Sequence, residues 1–311
     1  MRSVAKSFGF WVAISAFLMM PRFLHAEARV ESNVIYGMHS GLALLMDVHY
    51  PANPNGYAVV LISGSAWKAP LSYGARALKN SESMRTVLGA DSLLERGYTL
   101  FSINHRAAPT FRHPAPVKDA QRAVRFIRHH AAQYGIDPNR IGAAGHSSGA
   151  HLVSMVGVLN EGKNAADPSS VDEQSSRVQA VVGISTPADH VAYISGGGPL
   201  PNPSMGMGLT KWQIESGSYA LETAIYQDAS PISHVSPDDP PFLLVHGDKD
   251  AAVPFEQSEL FRERLVTADV DVELIRVPGG THSLTDAAGL MTYDYFETMV
   301  KWFDRHLLNT R

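Results

Sequence analysis

Apolar and polar positions alternate in blocks along most of this chain. Short apolar, β-rich runs predict strands over residues 57–63, 98–104, 141–146, 178–185, 242–246 and 272–277. Stretches with helical periodicity predict helices over residues 83–95, 117–134, 148–159 and 293–308. Two earlier runs, 32–36 and 42–50, flank a turn at Gly41 and predict a leading hairpin. Strands that alternate with helices need crossover connections, so the pattern predicts an α/β fold with a mostly parallel central sheet flanked by helices.

Residues 187–230 interrupt this alternation. The segment holds three consecutive glycines at 196–198, several prolines and Trp212. A long stretch with weak periodicity inside a compact domain is more often functional than structural. We therefore expect one domain over residues 29–311, with a lid-like insertion over the active site at about 187–230.

The N-terminus has the pattern of an export signal. Arg2 and Lys6 precede an apolar run over residues 8–20, and the small residues Ala26 and Ala28 follow. The run is shorter than the roughly 20 residues that a membrane-spanning helix needs. The sequence predicts a signal peptide over residues 1–28, cleaved after Ala26 or Ala28, and a bacterial protein exported to the periplasm or beyond.

Composition narrows the class of partner. The chain is 45% hydrophobic and 18% charged, with a net charge of −4 and no cysteine. No dense Lys/Arg block is present to neutralise nucleic-acid phosphates or to hold an anionic membrane. We expect no nucleic-acid partner, no stable membrane insertion after signal cleavage, and a neutral or weakly charged small-molecule substrate.

A candidate nucleophile lies between a predicted strand and a predicted helix. Gly145-His146-Ser147-Ser148-Gly149 is a G-x-S-x-G string in the strand–turn–helix context of a nucleophile elbow, in which the central Ser147 is exposed at the turn. His146 and His151 are five residues apart and do not share a helix face, so no metal site is predicted. Serine chemistry of this kind needs no cofactor.

A serine hydroxyl needs a base, and the base needs an orienting carboxylate. His282 follows the last predicted strand, where the order Ser, acid, His places the base. The loop after the preceding strand holds two candidate acids, Asp248 and Asp250, and their spacing does not choose between them. Other histidines lie in positions typical of surface or packing residues, namely His129, His130, His246 and His306.

Backbone donors are also required for the oxyanion of an acyl-transfer intermediate. The residue after the nucleophile, Ser148, and the small residues after the strand at 57–63 are in the right places to supply them. This second segment reads Ser63-Gly64-Ser65-Ala66-Trp67.

Several segments together resemble the esterase and lipase branch of the α/β-hydrolases. Residues 104–120 resemble its "Y-R-x-x-P…F-P-A…D-A" segment, residues 134–141 its "Y-G-I-D-P-x-R-I" segment, and residues 230–254 its "A-S-P…H-G-x-x-D-x-x-V-P" segment. In that last motif the acid lies four residues after the histidine, which selects Asp250. The branch includes acetylesterases, feruloyl esterases and, with a similar nucleophile string, kynurenine formamidases.

The chain departs from this branch at the oxyanion loop. Where the branch has HGGGW, this chain has Ser63 in place of His, and Ser65 and Ala66 in place of two glycines. The resemblance implies oxyanion donors at Ser65 and Ala66, whose Cβ atoms narrow the approach to the carbonyl and favour short, acetyl-type acyl groups. We also assign Trp67, His146 and Trp212 to the substrate pocket.

The resemblance implies a serine carboxylic-ester hydrolase that uses an acyl-enzyme and a Ser147–Asp250–His282 triad, acting on a small-molecule or carbohydrate-linked ester. One alternative is an amide-type hydrolase, such as a formamidase or a small peptidase. Another is a non-catalytic binding protein on the same fold, which the altered oxyanion loop keeps open.

Overall fold

The computed structural model of the chain describes residues 29–69, 77–108, 110–159, 169–195, 219–286, 288–291 and 293–308. Within these ranges a single eight-stranded sheet has the order β1-β2-β4-β3-β5-β6-β7-β8. The first two strands form an antiparallel hairpin that also pairs antiparallel with β4, and all other pairings are parallel. The strands are β1 Arg29–His39, β2 Leu42–Tyr50, β3 Ala58–Ile62, β4 Thr99–Ile103, β5 Ile141–His146, β6 Ala180–Ile184, β7 Phe242–Gly247 and β8 Val272–Val277.

Helices connect the parallel strands and cover both faces of the sheet. The described helices are α1 Ser83–Thr86, α2 Ala90–Glu95, α3 Ala115–His129, α4 Ala131–Tyr134, α5 Ser148–Val158, α6 His190–Ser195, α7 Tyr219–Asp228, α8 Glu256–Thr267 and α9 Phe296–Phe303. A π-helical turn, Asp304–Leu308, extends α9. No helix in the described ranges is both long and apolar enough to span a bilayer.

The core has two halves because successive side chains of a strand point to opposite faces. In β3, Val60 and Ile62 belong to the apolar cluster on one face, and Val59 and Leu61 belong to the cluster on the other. All five residues of β3 are buried. A strand covered on both faces reads as a continuous apolar run, which is why the pattern predicted it correctly.

The predicted α/β class, mostly parallel sheet and leading hairpin are confirmed. The predicted helix over residues 83–95 is wrong in one respect, because it is two short helices broken at Gly89. Gly89 adopts a left-handed conformation with φ +56°, and a Cβ there would lie 2.7 Å from Phe296 and 2.8 Å from Met299 of α9. Close packing against α9 therefore sets the break.

Two further differences concern helices. The sequence pattern does not predict α8, because this helix is largely polar and buries only a few residues, Phe261 and Leu265 among them. The predicted helix over residues 117–134 is likewise divided, at His130. The signal segment 1–28 lies outside the described residues, as does the centre of the expected insertion, residues 196–218.

Candidate active site

Ser147 lies in the sharp turn between β5 and α5. Its backbone has φ +55° and ψ −122°, a conformation that costs a non-glycine residue about 1–3 kcal/mol. The Ser147 N–H donates to the carbonyl of Ile184 at 2.8 Å, which holds the turn against β6. A Cβ at Gly145 or Gly149 would overlap neighbouring backbone, so both flanking positions require glycine. The string folds as an elbow because glycine at both positions lets the strand and the helix approach this closely.

Asp250 and His282 follow β7 and β8, at the same edge of the sheet as Ser147. The carboxyl ends of parallel strands meet at this edge, which is where α/β sheets bind ligands. His282 Nδ1 lies 2.8 Å from Asp250 Oδ2. The other carboxylate oxygen, Oδ1, accepts the backbone N–H groups of Ala252 and Val253 at 2.8 and 2.9 Å. The carboxylate is thus fixed by its own loop and directed at the imidazole.

The environment keeps Asp250 ionised. Burial alone would raise its pKa, but hydrogen bonds from His246 and His282, the charge of His282 and the Val253 N–H outweigh burial. The pKa of Asp250 is therefore held well below its usual range. A carboxylate that stays negative is what an imidazolium partner requires.

His246 is a second histidine on the same carboxylate. Its Nε2 lies 3.3 Å from Asp250 Oδ2 and 3.0 Å from the carbonyl of Val253, and its Nδ1 lies 2.7 Å from Ser258 Oγ. The ring is fully buried. Sequence reasoning placed His246 among the packing residues and missed this contact, although its position four residues before Asp250 was a usable signal.

Asp248 has other partners. Its carboxylate accepts the N–H of Gly279 at 2.8 Å and Arg276 Nε at 3.1 Å. Asp248 therefore braces the loop after β8, whereas Asp250 contacts the histidine on that loop.

His146 links the elbow to the His282 loop. His146 Nε2 donates to the carbonyl of His282 at 2.8 Å, and Ser185 Oγ donates to the same carbonyl at 3.3 Å. The two imidazole rings are 4.9 Å apart between centroids. Burial, reinforced by the charge of His282, lowers the pKa of His146 to about 4, so the ring is neutral near pH 7. His146 directly precedes Ser147 in the chain, so its hydrogen bond ties the elbow to the loop of His282.

The loop after β3 packs against the elbow. A Cβ at Gly64 would come 2.9 Å from Ser147 Cβ, so this position brings the loop next to the serine. Ala66 and Trp67 both adopt positive φ, +50° and +56°. The N–H of Lys68 donates to the carbonyl of Ser65 at 3.0 Å and closes the turn.

The three expected oxyanion donors differ in their hydrogen bonding. The N–H of Ser65 donates to Ser148 Oγ at 2.8 Å. This donor therefore already has an acceptor inside the protein, contrary to the expectation that it faces the oxyanion. The N–H of Ala66 has no acceptor among the residues that the structure describes. The N–H of Ser148 is at the first position of α5, where helical N–H groups lack an intrahelical partner.

The expected pocket residue Trp67 is buried beneath this loop. Its indole N–H donates to His151 Nδ1 at 3.0 Å, and its ring packs edge-on against His151 and His190. Trp67 therefore anchors the loop from below. Trp212 lies outside the described residues. Among the described residues, no group of three or more metal-ligating side chains could hold an ion.

In sequence, the chain is similar to known esterases. The family profile described as BD-FAE matches residues 46–265. Esterase LipC of Mycobacterium tuberculosis is 28% identical over 280 residues, which cover 87% of this chain and 62% of LipC. Isoprenylcysteine alpha-carbonyl methylesterase ICME of Arabidopsis thaliana is 24% identical over 281 residues, covering 86% of this chain and 61% of ICME. The chain thus spans less than two thirds of the length of these curated relatives.

Solved structures give the same result for the fold. A truncated carbohydrate esterase from gut microbiota is 28% identical, with a TM-score of 0.73, and the match covers 92% of this chain and 99% of that one. The bifunctional GH43-CE protein of Bacteroides eggerthii is 30% identical with a TM-score of 0.68, covering 89% of this chain and 38% of the other. Together with the eight-stranded sheet, these matches show an α/β-hydrolase fold.

Proposed function

We propose, from the premise that this chain belongs to the BD-FAE family of α/β-hydrolase-fold esterases, that it is a carboxylic-ester hydrolase with Ser147 as nucleophile. The observation that carries the proposal is the hydrogen bond between Asp250 and His282. The backbone carbonyl of His282 also accepts a hydrogen bond from His146, the residue before Ser147, which ties the His282 loop to the elbow.

The geometry supports an acyl-enzyme mechanism. His282, with Nδ1 occupied by Asp250, takes the proton of Ser147 Oγ at its Nε2 as the oxygen attacks the ester carbonyl. The N–H groups of Ala66 and Ser148 stabilise the oxyanion, while the Ser65 N–H holds Ser148 Oγ in place. The imidazolium then returns the proton to the departing alcohol. A water molecule, deprotonated by the same histidine, cleaves the acyl-enzyme and restores Ser147.

Removing either reacting side chain tests the proposal. We expect Ser147→Ala and His282→Ala each to reduce kcat on p-nitrophenyl acetate by about 10⁴-fold or more while circular dichroism stays unchanged. His129→Ala is the matched control, because His129 is exposed on α3. Either triad variant keeping a tenth of the wild-type rate would refute the assignment.

A fluorophosphonate probe separates an enzyme from a binding protein on the same fold. We expect wild-type protein to be labelled at Ser147 and the Ser147→Ala variant to remain unlabelled. An unlabelled wild-type protein would favour a non-catalytic role.

We further propose a short-acyl ester of a carbohydrate as the substrate class. The similarity to the gut carbohydrate esterase supports the carbohydrate part. The acyl part is supported by the close approach of the loop at Gly64 to Ser147 and by the Cβ of Ala66 in that loop.

Export to the periplasm or medium is supported by the charge and apolar pattern of residues 1–28. N-terminal sequencing of protein from the periplasmic fraction tests it, since an N-terminus still at Met1 would contradict cleavage.

A further inference from the structure

A cavity of about 540 Å³ lies beside the oxyanion loop, and the part of its lining that the structure describes comes from two segments. One wall belongs to the loop after β3 and the other to the turn that precedes α1. The described lining residues are Ser65, Lys68, Ala69, Ala77, Leu78, Ser81 and Glu82. The volume is in the usual range of small-molecule sites and exceeds what an acetyl group alone requires.

The cavity is connected to the reacting serine through Ser65. This residue forms part of the wall, and its N–H donates to Ser148 Oγ at 2.8 Å. The preceding residue, Gly64, packs against Ser147. A group bound in the cavity would therefore contact Ser65, the residue next to the one that packs against Ser147.

The wall formed by the second segment is preorganised. The Lys79 ammonium forms a buried ion pair with Asp47, and the Lys79 N–H donates to Asn104 Oδ1 at 2.8 Å. These contacts fix the turn between Leu78 and Ser81 against β2 and β4. The buried ion pair therefore fixes the backbone of this wall before a ligand binds, which reduces the ordering cost of binding.

Hydroxyl contacts join that wall to the oxyanion loop. Ser81 Oγ lies 3.0 Å from Ser83 Oγ, which donates to Ser63 Oγ at 3.0 Å. Ser63 is buried at the position where the branch it resembles has a histidine. The serine at this position therefore couples the two walls of the cavity.

The described part of the lining favours a neutral, polyhydroxylated ligand. Ala69, Ala77 and Leu78 supply an apolar surface, while Lys68 and Glu82 supply one exposed cation and one exposed anion. The charges of this lining pair cancel, so an anionic ligand would meet Glu82 and a cationic one Lys68. A neutral ring with C–H faces and many hydroxyl groups uses both kinds of surface, whereas a long acyl chain would desolvate the two charges without pairing them.

We infer that this cavity is a subsite for the carbohydrate alcohol of the substrate, with Glu82 accepting and Lys68 donating hydrogen bonds to sugar hydroxyls. The inference rests on the proposed ester hydrolysis and assigns the leaving-group side of that site.

The test compares two acetyl esters that differ only in the alcohol. For acetylated xylotriose relative to p-nitrophenyl acetate, we expect the ratio of kcat/KM values to fall about 10-fold in Glu82→Ala and in Lys68→Ala. One hydrogen bond to a charged group is worth a change of this size. Glu95→Ala and Lys118→Ala serve as matched controls, because both residues are exposed and neither lines the cavity. Unacetylated xylotriose should also inhibit p-nitrophenyl acetate hydrolysis less strongly in the two cavity variants.

The outcomes separate the subsite from the proposed function. An unchanged ratio and unchanged inhibition in both cavity variants would overturn the subsite while leaving the esterase in place. Equal losses on both esters would also overturn it, since the residues would then act on folding or chemistry. A wild-type protein that cleaves neither ester would refute the proposed function, and the subsite with it.

Discussion

Replacing Asp250 with Asn tests the proposed triad at the carboxylate that we expect to orient His282. Oδ1 of Asp250 accepts two backbone N–H groups, from Ala252 and Val253. An asparagine keeps both bonds only if its own carbonyl oxygen takes the Oδ1 position. Its amide NH₂ then occupies the Oδ2 position, facing the nitrogens of His282 and His246.

That arrangement forces a tautomer change. An NH₂ group donates, so His282 must present an unprotonated Nδ1 and carry its proton on Nε2. A base protonated on the nitrogen that should receive the serine proton cannot act. We expect kcat on p-nitrophenyl acetate to fall about 10⁴-fold, the size of loss seen when an equivalent triad acid is changed to its amide. The circular dichroism spectrum should not change.

Asp248→Asn is the matched control in the same loop. It weakens the contact with Arg276, whereas the asparagine carbonyl oxygen can still accept the Gly279 N–H that braces the loop of His282. We expect its kcat to stay within about 3-fold of wild type, as one weak surface contact implies. Steady-state kinetics of both variants decide the matter: a larger loss in Asp248→Asn, or a tenth of the wild-type rate in Asp250→Asn, would refute the reasoning.

Three further predictions follow from the same structure. His246→Leu, which removes the donor, should lower kcat roughly 10-fold with little change in KM, because one hydrogen bond to the Asp250 carboxylate is lost; unaltered kcat in a folded variant would contradict this role. Burial lowers the pKa of His151 to about 3, below the unfolded value of about 6.5, so the unfolded state binds more protons between these values. The contribution of His151 to the free energy of unfolding is therefore full above about pH 6.5 and about 2 kcal/mol smaller at pH 5. Urea unfolding at both pH values should show a smaller acid loss in His151→Gln than in wild type; an identical loss in the variant would exclude a contribution from His151. Across p-nitrophenyl esters, acetyl and propionyl groups should be cleaved with higher kcat/KM than octanoyl, and a flat profile would show that the Cβ of Ala66 does not limit the acyl group.

Local pattern was sufficient for most of the architecture. Buried parallel strands are continuous apolar runs, and their alternation with amphipathic helices predicts a parallel sheet without any long-range information. The elbow was also predictable, because the glycines at positions 145 and 149 are required by contacts of the turn itself. Local pattern missed α8, whose few buried side chains leave a weak periodic signal, and it missed the breaks within two predicted helices.

The partners of the loop residues could not be predicted from local pattern. Residue spacing left Asp248 and Asp250 equivalent, and Asp250 was favoured only through the motif resemblance. The fold places His282, 32 residues further along, against Asp250. The same holds for the buried contact of His246 with that carboxylate and for the Ser65 N–H, which donates to Ser148 Oγ across 83 residues of chain.

The chain by itself therefore determined which elements form and which residue types can carry the chemistry, since both depend on side chains a few positions apart. Tertiary structure alone decided which donor meets which acceptor at the carboxyl edge of the sheet. The register of neighbouring strands and the course of their loops set those distances, and a shift of about 1 Å is enough to break a hydrogen bond.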